Sequence, residues 1–287
     1  MAARRGWMWP PTLTLSEWAD KYRQLPVSSP EPGPWRTDRV PFIRGPLNAF
    51  TDPDVREIVL WGPTQSAKTE MLLNALGYVV HYAPAPTLMV YPVEDTAREF
   101  STTRLEPMIR STPALADKAA IGNARDHRKS LLSKTFPGMT VELRGCNSPS
   151  SLASRSCRYG FVDELDRCPP DVGGEGSAAD LLRQRVQTFW NSKVVLSSTC
   201  TIRGESQIEY EYETSDQRRF YVPCLACGHK HVMTFDNLDF DHEKEPEAAR
   251  AAARYRCPEC RHAHFDADKA AMLDGGEWRA EKPGGAK

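Results

Sequence analysis

The sequence predicts an α/β fold: a mostly parallel central sheet flanked by helices, followed by a small four-cysteine module of zinc-ribbon type. Three observations predict it. Apolar runs of strand length alternate with helix-patterned segments from about residue 56 to residue 199. The stretch "WGPTQSAKTE", residues 61 to 70, falls where one such strand hands over to a helix. Two C-x-x-C pairs, Cys224/Cys227 and Cys257/Cys260, lie in the last quarter of the chain.

The elements follow in order. Residues 1–50 are rich in Pro and Trp, and "LSEWADKYRQL" is a short helix for which Ser16 is the expected cap. Trp18 and Trp35 are expected to pin this segment onto the core. "REIVLWG" reads as a buried strand ending at a glycine turn. "KTEMLLNALGYVVHY" carries Met71, Leu72, Ala75, Leu76, Val79 and Val80 at helical spacing. "APTLMVYP" is a second strand, and "VEDTAREFSTTRLEPMIRS" a helix with acidic residues at its positive end. The basic stretch "ARDHRKSLLSK" (124–134) reads as a solvated loop. "MTVELRG" and "RYGFVDE" supply two more strands, "SAADLLRQRVQTFW" a helix, and "SKVVLSST" a fifth strand. Strands joined by helical crossovers give a parallel sheet. The expected division is a segment over 1–50 packing on the core, a domain over 51–216, and a metal module with a tail over 217–287.

Composition narrows the function. Lys+Arg 37 against Asp+Glu 38 gives a net charge of -1, so bulk charge cannot drive coating of a polyanion and any nucleic-acid surface must be local. No apolar run approaches the ~20 residues of a membrane span, and the N-terminus "MAARRGWMWPP" has no apolar core of a secretory signal. Eight cysteines with two C-x-x-C pairs suit metal binding in a reducing cytosol better than a disulfide framework, so an intracellular protein is expected.

"GPTQSAKTE" approximates the phosphate-binding pattern G-x-x-x-x-G-K-[ST], with Ala67 in place of the second glycine. Backbone N–H groups from Gly62, Pro63's neighbours Thr64, Gln65, Ser66 and Ala67, and the start of the helix through Glu70 would form an anion cradle. Lys68 would reach the β- and γ-phosphates of a nucleotide, and the Thr69 hydroxyl would ligate Mg²⁺. A left-handed conformation at Ala67 would cost on the order of 1 kcal/mol. Taken alone, the string also fits an ordinary strand-to-helix turn. "RYGFVDELDR" then ends an apolar strand with Asp163 and Glu164, and ATP hydrolysis needs one carboxylate for Mg²⁺ and another to polarise water. Asp163 fits the first role and Glu164 the second, although Asp-Glu pairs are common at solvated strand ends. Ser197, Ser198 and Thr199 close the next strand where a γ-phosphate sensor would sit. Together these place the fold among P-loop NTPases.

Each C-x-x-C forms a knuckle whose thiolates face one ion, so Cys224, Cys227, Cys257 and Cys260 are expected to close a tetrahedral Zn²⁺ site. The span between the pairs, "FDNLDFDHEKEPEAARAAA", would be an inserted hairpin or loop. His229, His231, His262 and His264 are alternative ligands, and a redox C-x-x-C is the competing assignment. Cys146, Cys157, Cys168 and Cys200 are expected to be buried small residues.

The phosphate loop after "VLWGPT", the stretch "YPVEDTAREFSTTRLEPMIRSTP", "FVDELDR", and "LSSTCTIRGESQIEYEYETSDQRRFYVPCLACG" with its second cysteine pair occur in one order. In this the chain resembles the large terminase subunit of tailed phages, of the lambda GpA-like type, from about residue 14 to about 280. The resemblance implies an ATP-driven motor that moves double-stranded DNA into a procapsid in the host cytoplasm. It implies ATP and Mg²⁺ as cofactors. The implied partners are a portal protein, a small terminase subunit and further copies of the chain on the portal ring. A nuclease domain also belongs to that family, and none is expected here because the sequence stops just past the metal module. An arginine acting across subunits is implied too; among Arg98, Arg104, Arg144, Arg155 and Arg158, the residue favoured is Arg155, just before the Asp163 strand. Two other classes fit parts of the pattern: a helicase or remodelling ATPase, and a non-catalytic DNA- or portal-docking module with a degenerate loop. A helicase would need a second motor domain with its own arginine motif. A dead module has no reason to keep Lys68, Thr69, Asp163 and Glu164 together.

Overall fold

The computed structural model describes residues 13–123, 131–147, 152, 156–240 and 245–282. Helix α1 (Leu15–Tyr22) is capped not by Ser16, which is buried inside the helix, but by Thr14. Thr14 forms a reciprocal capping box with Glu17, satisfying two of the helix's orphan donors. The apolar face of α1 carries Trp18, 0 % exposed, onto helix α2 (Arg44–Thr51) and helix α3 (Lys68–Tyr82). A Cβ at Gly77 of α3 would sit 2.3 Å from the Trp18 ring, so only glycine lets the indole seat there. Its Nε1–H donates to His81 Nδ1 at 3.0 Å, and Trp35 is buried in the same cluster. A two-stranded ribbon, Gln24–Leu25 with Gly33–Pro34, links α1 to the core.

Among the described residues the central sheet has six strands: β1 (Glu57–Trp61), β2 (Thr87–Tyr91), β3 (Ser133–Phe136), β4 (Met139–Gly145), β5 (Tyr159–Val162) and β6 (Lys193–Ser198). Their order is β1-β6-β5-β2-β4-β3, parallel throughout except for β3, which pairs antiparallel with β4. Strand β3 was not foreseen: it begins at Ser133, inside the stretch read as a loop. Strands β2, β5 and β6 are buried at every position, as strands covered on both faces must be. Residues of β1 alternate, Ile58 and Leu60 packing with the α1–α3 cluster and Val59 with the cluster on the opposite face.

Between β2 and β4 the chain runs through α4 (Glu94–Phe100), a π turn (Ser101–Leu105), α5 (Glu106–Ser111) and α6 (Pro113–Asn123). The sequence predicts one uninterrupted helix there. Pro107 has no N–H to offer the preceding turn, and the Thr102 and Thr103 hydroxyls take the Glu99 carbonyl at 3.0 and 2.8 Å, so the helix widens. Helix α7 (Ala178–Val186) covers the opposite face and is shorter than the helix predicted to Trp190. The Arg185 carbonyl is taken by Cys157 N–H at 3.0 Å instead of by the next helical turn.

Helix α8 (Gln207–Glu213) follows β6 and packs on the sheet edge at β1, where Tyr212 meets Trp61 edge to face at 5.0 Å. Arg183 of α7 bridges Glu57 of β1 and Glu211 of α8. Strand β7 (Arg218–Pro223) then pairs with β8 (Lys230–Val232) and with the last of the described strands. A second small sheet holds β9 (Leu238–Asp239), β10 (Arg254–Arg256) and β11 (Ala263–His264). The insertion read as hairpin or loop thus contains a strand and helix α9 (Pro246–Ala252). After α10 (Lys269–Asp274), strand β12 (Glu277–Ala280) returns to β7, and Trp278 Nε1 donates to the Phe42 carbonyl at 2.7 Å. No described helix is long and apolar enough to cross a membrane.

Candidate nucleotide and metal sites

The loop from Gly62 to Ala67 joins the end of β1 to the first turn of α3. Gly62 N–H reaches the Ser198 carbonyl at 3.4 Å, tying the loop to the tip of β6. A Cβ on Gly62 would stand 3.0 Å from Ser66 Oγ, which itself donates to the Pro63 carbonyl at 2.7 Å. Pro63, Thr64 and Gln65 form the exposed tip. Gln65 and Ala67 both have left-handed backbones, at φ 59° and 61°. The strain expected at Ala67 is therefore present, and it allows the chain to enter α3 with its first N–H groups facing the loop.

Lys68 opens the helix, and Thr69 follows in its first turn. The Lys68 ammonium donates to the carbonyls of Gly62 (2.8 Å) and Pro63 (2.5 Å) and to Thr199 Oγ1 (3.2 Å). Burial lowers its pKa, while the nearby carboxylates of Asp163 and Glu164 act the other way. Glu70, the last residue of the predicted loop motif, pairs with Arg23 Nη2 at 3.2 Å, and that guanidinium is only 1 % exposed. The sequence carried no signal for Arg23: a lone Arg in a short helix-ribbon junction looks like a surface residue.

Asp163 and Glu164 follow β5. Asp163 is buried, and its Oδ1 accepts from Ser197 Oγ at 2.5 Å and from Glu164 N–H at 3.1 Å. Burial raises the Asp163 pKa, and the Ser197 hydrogen bond opposes that rise. Glu164 has φ 54° and ψ 49°, a conformation rare outside glycine, and its carboxylate lies 3.3 Å from Arg167 Nη1. Behind them the Tyr91 phenol is held un-ionised by burial and by both carboxylates. Ser198 faces another way: its Oγ accepts from Asp166 N–H at 3.1 Å and donates to the Thr199 carbonyl. So the structure brings together Gly62, Lys68, Asp163, Glu164, Ser197 and Thr199 at the C-terminal ends of β1, β5 and β6. In open parallel sheets that is where ligands bind. Arg155 lies outside the described residues.

Cys224, Cys227, Cys257 and Cys260 lie with all four sulfurs within 4.8 Å of one another. Cys224–Cys260 and Cys227–Cys257 are 3.7 and 3.9 Å apart. A tetrahedron with metal–sulfur bonds of ~2.3 Å has edges of about 3.8 Å, so the donors fit Zn²⁺ in number, type and spacing. Each knuckle is shaped by a backbone bond back to its first cysteine, Gly228 N–H to the Cys224 carbonyl (2.8 Å) and Arg261 N–H to the Cys257 carbonyl (3.0 Å). Gly228 and Arg261 both have positive φ. Burial raises the Cys224 thiol pKa, but N–H groups of Cys227 and Ala226 and the His264 ring bring it down to about 5. The Cys227 thiol is lowered by the His229 backbone but driven up by the neighbouring sulfurs, to about 12. Four sulfurs that cannot all ionise side by side are what a dication would relieve. His264 is buried with Nε2 3.3 Å from Cys224 Sγ, and serves the thiolate rather than replacing it as a ligand. Of the remaining cysteines, Cys146, Cys157 and Cys168 are buried, as expected, and Cys200 is half-buried.

Sequence reading did not find Asp166. Its N–H bonds Ser198, Oδ2 accepts from Thr201 N–H (3.0 Å) and Oγ1 (3.2 Å), and Oδ1 accepts from Ile208 N–H (2.8 Å). The one available signal was a third acidic residue, spaced from Glu164 by Leu165, in "VDELDR".

Comparison with known proteins adds to this geometry. The family described as phage terminase large subunit gpA, ATPase domain, matches residues 29–278. The terminase large subunit of Enterobacteria phage P21 is 31% identical over 229 residues, 79% of this chain and 35% of the relative. That of Escherichia phage lambda is 29% identical over 233 residues, 80% of this chain and 36% of the relative. The chain thus spans about a third of the length of these curated relatives. The crystal structure of the HK97 bacteriophage large terminase superposes with a TM-score of 0.57 at 13% identity, over 71% of this chain and 40% of that one, a likeness of fold.

Proposed function

The chain belongs to the family of phage terminase large subunit gpA ATPase domains, and on that premise we propose that it hydrolyses ATP to drive double-stranded DNA into a procapsid. The observation that carries the reading is the meeting of Lys68 with Thr199 and of Asp163 with Ser197. One cation, one carboxylate pair and one hydroxyl-tipped strand converge beside a helix N-terminus, the set that phosphoanhydride hydrolysis requires.

In this proposal the backbone of residues 62–70 binds the phosphates. Lys68 exchanges the Gly62 and Pro63 carbonyls for phosphate oxygens, so its present bonds hold it close to its working position. Thr69 and Asp163 would hold Mg²⁺, and the ion supplies neutralisation of charge between phosphates. Glu164, partly exposed and next to Asp163, orients the attacking water and accepts its proton. Thr199, bonded to Lys68, would sense the γ-phosphate, and Ser198 beside it would pass that change to the Asp166 turn. Arg155 is proposed to act on a neighbouring subunit's nucleotide.

Cys224, Cys227, Cys257 and Cys260 would hold Zn²⁺, fixing the fold of residues 217–287 as a unit attached to the ATPase unit of 51–216, with residues 1–50 bound to its core. Working partners would be duplex DNA, a portal protein, a small terminase subunit and other copies of the chain, in the host cytoplasm. The test separates binding from chemistry. Lys68→Ala should lose Mg²⁺·ATP binding, whereas Glu164→Gln should bind ATP and fail to turn it over. Equal turnover in wild type and Glu164→Gln would remove Glu164 from the mechanism.

A further inference from the structure

The turn that carries Glu164 is stitched to the chain beyond β6 more densely than a strand end requires. Residues Leu165–Arg167 form a single 3-10 turn directly after the strained Glu164. Asp166 fastens this turn to three places: its N–H to Ser198 Oγ, Oδ2 to Thr201 N–H and hydroxyl, and Oδ1 to Ile208 N–H. Gln207 Nε2 adds bonds to the Leu165 and Cys168 carbonyls at 3.1 and 2.9 Å. Ser198 and Thr199, which meet the Glu164 turn and Lys68, are thereby joined to the first turn of α8.

Helix α8 is in turn anchored at its far end. Glu211 takes Arg183, which also holds Glu57 at the start of β1. Tyr212 packs on Trp61, one residue before Gly62, and its hydroxyl donates to the Arg218 carbonyl at 3.3 Å, the first residue of β7. Strand β7 leads straight into Cys224. A left-handed glutamate persists only where its surroundings over-determine it. Arg167 N–H on the Glu164 carbonyl (2.9 Å) closes the turn itself, and the bonds of Asp166 and Gln207 fix that turn to the chain beyond β6.

We propose that Asp166 is a positioning residue for the hydrolytic step: it holds Glu164 in its working conformation and transmits a change at that turn to α8 and so to the metal module. The inference rests on the ATPase reading above. The Asp166 bonds go to Ser198, Thr201 and Ile208, and Lys68 bonds Gly62, Pro63, Ser66 and Thr199, so removing the Asp166 side chain leaves the bonds of the phosphate-binding lysine in place and acts on the turn that carries Glu164. Misplacing a reacting group by about 1 Å costs on the order of 10²-fold in rate.

The test uses the full chain with Asp166→Ala and Asp166→Asn. Helix α8 keeps its cap in both, because Glu209 N–H bonds Ser206 Oγ at 3.2 Å. Asp166→Ala should lower kcat by about tenfold to a hundredfold with KM for ATP near wild type, alongside a lower melting temperature from the three lost hydrogen bonds. Asp166→Asn keeps an acceptor for Ile208 but turns an amide donor on Thr201 N–H, so its kcat should fall between the other two. Hydrogen exchange over residues 201–213 should differ between ADP and a non-hydrolysable ATP analogue in wild type, and not in Asp166→Ala. An unchanged kcat overturns the proposal. So does a kcat loss matched by a fall in ATP affinity, since that marks a collapse of the whole site and not a misplaced Glu164. Exchange in α8 that ignores the nucleotide in wild type, or still follows it in Asp166→Ala, overturns the transmission. A wild type without ATP turnover would take down the ATPase reading itself, a different failure from an active wild type indifferent to Asp166.

Discussion

Replacing Ser197 by alanine should move the pH dependence of Mg²⁺·ATP binding. Ser197 is 0 % exposed and donates to the 7 % exposed carboxylate of Asp163 at 2.5 Å. Burial has already raised the Asp163 pKa, and this bond holds the rise in check by favouring the ionised form. A hydrogen bond to a charged group is worth about 1.5–3 kcal/mol, and one pKa unit is about 1.36 kcal/mol. Losing the bond should therefore raise the Asp163 pKa further. Ionised Asp163 is the form proposed to take Mg²⁺, so in the variant that form is lost at a higher pH as pH falls. The assay is ATP affinity at saturating Mg²⁺ across the acid range, for wild type and Ser197→Ala. The acid limb should shift to higher pH, with affinity retained on the alkaline plateau. Superimposable limbs would refute the coupling between Ser197 and Asp163. A uniform loss at every pH would show that Ser197 acts on packing and not on charge.

Other perturbations address separate parts of the molecule. Glu164→Gln should keep ATP affinity within about threefold and lose about 10²–10⁴-fold in turnover, read by equilibrium binding beside single-turnover kinetics. Ala67→Gly should be tolerated with unchanged kcat, because glycine removes a left-handed Cβ cost of about 1 kcal/mol; a large loss of activity or melting temperature would assign Ala67 a packing role. Cys260→Ser should lower metal content from one Zn²⁺ per chain and open residues beyond about 218 to proteolysis while the central sheet and helix α3 stay protected. Reduced wild-type protein that contains no zinc would count against the metal site as a whole.

Much of the fold was legible because its strongest signals are local. The helix read from "KTEMLLNALGYVVHY" is α3, residue for residue, and "MTVELRG" is β4, since apolar periodicity and flanking turns mark both ends. Boundaries failed where a distant partner decided them. The Arg185 carbonyl binds Cys157, so α7 stops early, and Pro107 opens a π turn inside a segment of helical pattern. Strand β3 was missed because an edge strand of Ser133, Lys134 and Thr135 has little apolar patterning until it pairs with β4. Strand order was not legible either: nothing in "REIVLWG" says that β1 lies at the sheet edge.

The candidate site divides in the same way. Lys68, Asp163 and the cysteine pairs could be found because their chemistry demands fixed spacings along the chain. Their supports could not. Arg23 reaches Glu70 across 47 residues, Ser197 reaches Asp163 across 34, and Asp166 reaches Ile208 across 42. Such contacts are set by the sheet's crossovers and leave no local pattern.

Residues 62–69, 163–164 and 197–199 are proposed to form one site that hydrolyses Mg²⁺·ATP. The most direct measurement is ATP turnover by the purified chain, in Mg²⁺ and in EDTA, with and without duplex DNA, beside Lys68→Ala. The expected result is Mg²⁺-dependent turnover that responds to duplex DNA and disappears in Lys68→Ala. Turnover that survives Lys68→Ala, or a correctly folded wild type that neither binds nor hydrolyses ATP, would contradict it.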